Sequence, residues 1–349
     1  MEARVRQDWR LAFQRSDKQR AATCQAVVSG AALTPSFLAM NAAATLIAGF
    51  GLLQNSPAVI IGAMLIAMLF GPIVGIALAL AEADMRLLRR SLVAEFAGAA
   101  GVMAIGYGVG LAFHGIPVGS EILSRTSPTI LDLLIGLVGG TAGAFTFTAG
   151  GFSGVIVGVA IATALVPPLT SCGILLANGS PALAAGALTL FFANLSAIAV
   201  GATIVFWFAG HRPPSHDQSI KVLVPRLISV AVVVVLATHL TITLRTTIAQ
   251  SALERAIRST LEFELEKMPG ATLVGIALPP RVNAGTTSAI VRTPKSVTPE
   301  EVTRLNNMVN IATGKSVVLH IRSVITAETT RDGYVYNVRL AAGDDGENP

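Results

Sequence analysis

From Thr34 onward the chain is a series of apolar stretches of membrane length, separated by short clusters of Gly, Pro, Asn and charged residues. A helix needs about 20 apolar residues to cross the roughly 30 Å hydrocarbon core of a bilayer. A window of that length predicts seven spans, at 34–54, 57–81, 91–113, 129–149, 152–177, 182–209 and 222–244. None shows the short alternating runs of a membrane β-strand. Only helices and closed barrels satisfy their backbone hydrogen bonds inside hydrocarbon, so the pattern reads as an α-helical integral membrane protein.

The pattern changes after the seventh span. Thr246 to Lys267 reads as an amphipathic helix rich in Glu and Arg, and ATLVGIA and SAIVRT read as strands. TPEEVTRLNNMVNIATG follows as a helix opened by a capping box between Thr298 and Glu301, and SVVLHIRSVI as a third strand. The expected organisation is therefore fourfold. Residues 1–33 form a basic segment, either an interfacial helix or a disordered tail. Residues 34–210 form the membrane domain, 211–245 a linker and last span, and 246–349 a soluble α+β domain with a polar tail.

The chain also repeats itself at an offset of 96. Ala58 to Ala81 aligns without a gap onto Gly154 to Ala177, with identities that include Gly62/Gly158, Leu69/Leu165 and Pro72/Pro168. Each copy lies between two further spans, so the repeating unit is three helices, and an odd number of spans inverts the second unit relative to the first. The expectation is two inverted three-helix repeats with interrupted helices plus a seventh span, a pattern found in secondary transporters. The interruptions are placed at Gly71-Pro72 and Pro167-Pro168, because proline removes an amide donor and clashes with the carbonyl one turn back.

Charge sets an orientation. Residues 246–349 are balanced, with 11 acidic and 11 basic side chains, so the formal net charge of +5 belongs to the membrane part. A nucleic-acid partner is not expected from such a distribution. With the N-terminus inside, twelve basic residues fall on the cytoplasmic side, among them Arg20, Arg86, Arg89, Arg90 and Arg212, and only Arg125 and Arg245 fall opposite. The positive-inside rule thus places the N-terminus in the cytoplasm and the C-terminal domain outside the cell membrane.

Candidate chemistry is sparse. Thr170 and Ser171 flank the second interruption, and Asn41, Asn194, Glu95 and Asp132 lie within predicted spans, where a polar or ionisable group is a site hypothesis. Glu95 also fits the interface near Arg89 or Arg90, and Asp132 fits a helix first turn capped by Thr129. Glycines 98, 101, 106, 110, 136, 140 and 143 read as close helix contacts. Cys24 and Cys172 have no His or Cys at ligand spacing and read as packing residues. No metal, cofactor or catalytic set is expected, and the protein is not read as an enzyme.

SPAVIIGAMLIAMLFGPIVGI, SRTSPTILDLLIGLVGGTAGAF, GVAIATALVPPLTSCGILLA and GALTLFFANLSAIAVG, in that order, resemble the hallmark segments of the prokaryotic membrane family catalogued as domain of unknown function 389. The resemblance covers about residues 30–210. It marks Gly71, Pro72, Arg125, Pro128, Asp132, Pro167, Pro168 and Asn194 as family-characteristic positions and implies a multi-pass membrane protein without a known activity. One departure is Ala67-Met68, where the family has a small polar residue and proline. The leading expectation is a transporter or channel for an unidentified small solute or ion, with its pathway at the two broken helices. The alternative is a membrane-anchored assembly or sensor platform whose external domain carries the function. The expected partners are the lipid bilayer, the solute or ion, and further copies of the chain in a homo-oligomer.

Overall fold

The computed structural model describes residues 17–149, 165–212, 220–277, 286–326, 329–330 and 333–334. They fall into two units, Met1–Arg245 and Thr246–Pro349. The first unit holds α1 (Asp17–Gly30), α2 (Pro35–Leu53), α3 (Pro57–Met64), α4 (Phe70–Glu82), α5 (Met85–Ala112), the short α6 (Ser120–Ser124), α7 (Ile130–Ala149), α8 (Val166–Ala177) and α9 (Pro181–Phe208). A long helix, α10 (Ile220–Leu265), begins in this unit and ends in the second.

Local chemistry sets the helix ends. Thr34 caps α2 by accepting from the Phe37 amide at 3.1 Å, with Pro35 in the first helical position. Asp84 caps α5 through the amides of Arg86 and Leu87, at 2.8 and 3.1 Å. Ala83, at φ 58°, closes α4 in a left-handed conformation that usually selects glycine.

Among the described residues, five helices are long and apolar enough to cross a membrane: Pro35–Leu53, Met85–Ala112, Ile130–Thr148, Pro181–Phe208 and Leu223–Leu265. Leu131 at 69% exposure, Val138 at 63% and Val235 at 65% turn apolar side chains outward, where hydrocarbon solvates them. The first unit is membrane-embedded.

Two expected spans differ in the structure. The stretch 57–81 is not one helix, because the helical hydrogen-bond ladder is interrupted over 65–69 between α3 and α4. The first half of the stretch 152–177 lies outside the described residues, and α8 supplies the second half. The amphipathic helix expected at 246–267 is also not separate. It continues the last span as α10, a helix of 46 residues.

Glycines set the closest approaches between helices. A Cβ placed at Gly106 would lie 2.7 Å from the Thr170 carbonyl oxygen, and one at Gly110 2.9 Å from Ile174 Cα, so α5 and α8 meet backbone to backbone. Gly136 and Gly140 of α7 meet Ala197 and Ile198 of α9 in the same way, and Gly98 accommodates Phe37 and Leu69. Gly101 does not make the expected contact, since nothing lies within 4 Å of its Cβ position.

The turns separate into two ends of this unit. Asn55 Oδ1 accepts from the Ser120 hydroxyl and the Glu121 amide at one end. At the other, the Thr23 hydroxyl donates to the Phe147 carbonyl, and Cys24, Glu82 and His211 converge. Leu33, Arg86, Arg89, Arg90 and Val93 line a basic pocket of about 390 Å³.

The second unit is a three-stranded sheet in the order β1 (Thr272–Ala277), β2 (Thr286–Thr293), β3 (Val318–Ile325), antiparallel then parallel, with α11 (Pro299–Thr313) connecting β2 and β3. Two-residue strands β4 (Thr329–Thr330) and β5 (Gly333–Tyr334) pair separately. Thr298 and Glu301 form a reciprocal capping box on α11. Asn310 and Asn306 accept from the Val317 and Leu319 amides at 2.7 and 2.8 Å, tying α11 to β3. Leu253, Ile257, Leu261 and Leu265 pack with Ala289, Val291, Leu305, Val309, Val317 and Leu319 in the core of this unit.

Candidate functional site

Two short helices, α4 and α8, begin inside the membrane unit. Pro72 is the third residue of α4, and Pro167 and Pro168 are the second and third of α8. In a first turn the amide has no partner within its own helix, so proline costs little there but stops the helix from extending backward. The discontinuity in the first copy therefore lies over 65–69, ahead of Gly71-Pro72 and not at that dipeptide. The Pro72 ring would clash with the Met68 carbonyl in a continuous helix.

Asn41 of α2 reaches into this linker. It is buried, and its Oδ1 accepts from the Met68 amide at 2.9 Å. Leu69, Phe70 and Ile73 from the first copy, and Leu165, Val166 and Leu169 from the second, belong to one contiguous core. The two half-helix starts thus share the same interior. They leave it in opposite directions, with α4 ending at Glu82 beside His211 and α8 ending near Gly110.

Glu95 is 1% exposed, and neither carboxylate oxygen has a hydrogen-bond partner among the described residues. An interface position near Arg89 or Arg90 does not fit that burial. Its level follows from its neighbours on α5. Gly75 of α4 makes room for Ser91, and a Cβ at Gly98 would lie 2.7 Å from Leu69 Cδ2. Glu95, one turn beyond Ser91, is thereby level with Gly71 and Pro72 at the start of α4. The first turn of a helix carries about half a positive charge in unbonded amides, which favours a carboxylate nearby. Ser91 is also fully buried, with its hydroxyl unpartnered among the described residues.

The remaining sequence candidates divide. Thr170 is buried but spends its hydroxyl on the Val166 carbonyl at 2.9 Å, whereas the buried Ser171 hydroxyl has no partner among the described residues. Asn194 is buried on α9 beside Gly136. Asp132 lies apart, at the start of α7, where its Oδ2 accepts from the Thr129 amide at 2.9 Å and hydroxyl at 2.6 Å. It is a capping residue. Arg125 pairs with Glu121 at 3.6 Å in the segment between the two sets of helices.

Tertiary structure adds a cluster from residues far apart in sequence. His211, 1% exposed at its side chain, has Nδ1 2.7 Å from Glu82 Oε1. Cys24 Sγ is 3.4 Å from the same oxygen and 3.9 Å from that nitrogen. The ring of His211 is held edge-on against Phe206, with centroids 5.6 Å apart. Burial, reinforced by the charge and acceptor of Glu82, pushes the Cys24 thiol up to about 12. Arg20, one turn earlier on α1, acts in the opposite sense.

Comparison with known proteins bears on the membrane unit. The family model described as Domain of unknown function (DUF389) matches residues 64–200. Residues 64–200 are thus similar to that family. The matched stretch takes in both half-helix starts, Glu82 and Glu95, while Asn41, Cys24 and His211 lie outside it. An uncharacterized protein of Methanocaldococcus jannaschii is 32% identical over 172 residues, covering 48% of this chain and 52% of that protein. The chain thus spans about half the length of the curated relative it matches. No solved structure matches it.

Proposed function

We propose that the stretch matching the family model and its flanking helices form a transporter or channel for a small solute or ion, with a pathway at the starts of α4 and α8. The observation that carries this reading is the Glu95 carboxylate, buried within a span and level with a half-helix start. An ionised side chain at that depth costs about 3 kcal/mol or more, so intramembrane carboxylates are kept mainly where a proton or cation accompanies them. Asn41, Ser91 and Ser171 supply neutral polar groups to the same interior.

The architecture supports the reading as an inverted repeat. Adding 96 to the bounds of Phe70–Glu82 and Met85–Ala112 gives 166–178 and 181–208, beside the observed Val166–Ala177 and Pro181–Phe208. The packing is paired as well. The half-helices α4 and α8 each lie against both long helices, α5 and α9. Half-helices that start at mid-depth and leave in opposite directions are how many transporters build a central site.

The chemistry proposed is passage and not catalysis. The N-terminus is placed in the cytoplasm, because the end bearing Arg20, Arg86, Arg89, Arg90 and Arg212 carries most of the basic residues. The test is flux through proteoliposomes across a panel of ions and small solutes, with wild type compared with Glu95→Gln. The substitution keeps side-chain shape and removes the ionisable group. A folded Glu95→Gln protein is expected to lose at least tenfold in flux. Flux that is absent for every solute tried, or unchanged in the variant, sinks the proposal.

A further inference from the structure

We propose that Cys24, Glu82 and His211 form a binding site for a divalent cation of the zinc class. The three donor atoms, a sulfur, an oxygen and a nitrogen, all lie within 4.8 Å of one another. Zinc binds thiolate at about 2.3 Å and imidazole or carboxylate at about 2.0–2.2 Å. Tetrahedral angles then separate the donors by about 3.3–3.6 Å. The observed separations of 2.7, 3.4 and 3.9 Å bracket that range, so side-chain shifts of tenths of an ångström would seat an ion. A mixed sulfur, nitrogen and oxygen set suits zinc better than magnesium or calcium, which prefer oxygen alone.

The same residue types could make a nucleophile, base and acid relay, but the geometry argues against it. In a relay the nucleophile and the acid bond to opposite ring nitrogens of the histidine. Here both Cys24 Sγ and Glu82 Oε1 approach Nδ1. Convergence on one point is the arrangement of ligands around an ion.

Burial and position fit as well. His211 is held in the interior by Phe206, while Glu82 keeps 25% of its side chain exposed and Cys24 is half-buried, which leaves a way in for an ion. Three ligands leave one coordination position for water or another small ligand. A bound ion would clasp three segments at one end of the membrane unit: helix α1, the end of half-helix α4, and the residues following α9.

Cobalt(II) replaces zinc in such sites and reports its ligands spectroscopically. The full-length protein, purified in detergent and freed of metal with a chelator, is titrated with cobalt(II). The expected result is one ion per chain, a thiolate-to-cobalt charge-transfer band and the intense visible bands of a tetrahedral site. Cys24→Ser should abolish the charge-transfer band and Cys172→Ser should leave it. Glu82→Gln and His211→Gln should each weaken binding by about tenfold or more.

No thiolate band at stoichiometric cobalt, or a band that survives Cys24→Ser, overturns the site. A second measurement needs no ligand substitution. In a Cys172→Ser chain, zinc should protect Cys24 from alkylation and a chelator should restore the reaction. An alkylation rate indifferent to zinc overturns the proposal equally.

Discussion

At the scale of single residues, polar groups in the interior of the membrane unit differ by whether their hydrogen bonds are already committed. Thr170 and Ser171 are adjacent on α8, both fully buried, and similar in chemistry. The Thr170 hydroxyl closes on its own helix at Val166, while Ser171 offers a hydroxyl without a partner among the described residues. Ser171→Ala should therefore leave the thermal midpoint within about 1 °C, because no hydrogen bond is lost, yet change flux or selectivity. Thr170→Val should cost up to about 1 kcal/mol of stability and leave selectivity alone. Thermal unfolding in detergent and proteoliposome flux read the two effects separately, and reversed roles would contradict the assignment.

At the scale of elements, the half-helices hold their places through backbone contact. A methyl group at Gly106 would meet the Thr170 carbonyl oxygen at 2.7 Å and its Cα at 3.0 Å. Gly106→Ala should force α5 and α8 apart and destabilise the protein by about 1–3 kcal/mol, the usual cost of overpacking. Gly101→Ala, one and a half turns away on the same helix with open space at its Cβ, should be neutral or stabilising by up to about 1 kcal/mol, since alanine is the better helix former. Equal effects on thermal unfolding would mean that the glycine contacts do not set the spacing of these helices.

At the scale of the whole molecule, each unit has its own core. The fragment 246–349 buries Leu253, Ile257, Leu261 and Leu265 against its sheet and α11, so it should fold alone and unfold cooperatively in urea. A random-coil circular dichroism spectrum would remove it as an independent domain. Orientation is tested in intact cells with an impermeant thiol reagent on a chain lacking its native cysteines. Ser251→Cys should label and Ser16→Cys should not. The opposite pattern reverses the topology.

Hydropathy alone determined that this is a helical membrane protein followed by a mixed α and β segment, because the transfer of side chains into hydrocarbon is local and nearly additive along the chain. Capping chemistry was equally legible at Thr298 and Glu301 and at Thr129 and Asp132, where partners lie three residues apart. The unwound stretch at 65–69 was not. Leu65, Ile66, Ala67, Met68 and Leu69 are all apolar, and hydropathy carries no information about backbone direction. Its stabilising bond comes from Asn41, 27 residues earlier. The face of α5 on which Glu95 lies was set by the packing of α2 and α4, not by its distance from Arg89. Cys24, Glu82 and His211 are separated by 58, 129 and 187 residues. No spacing rule connects them, because only the folded chain brings the middle of α1, the end of α4 and the residues after α9 to one place.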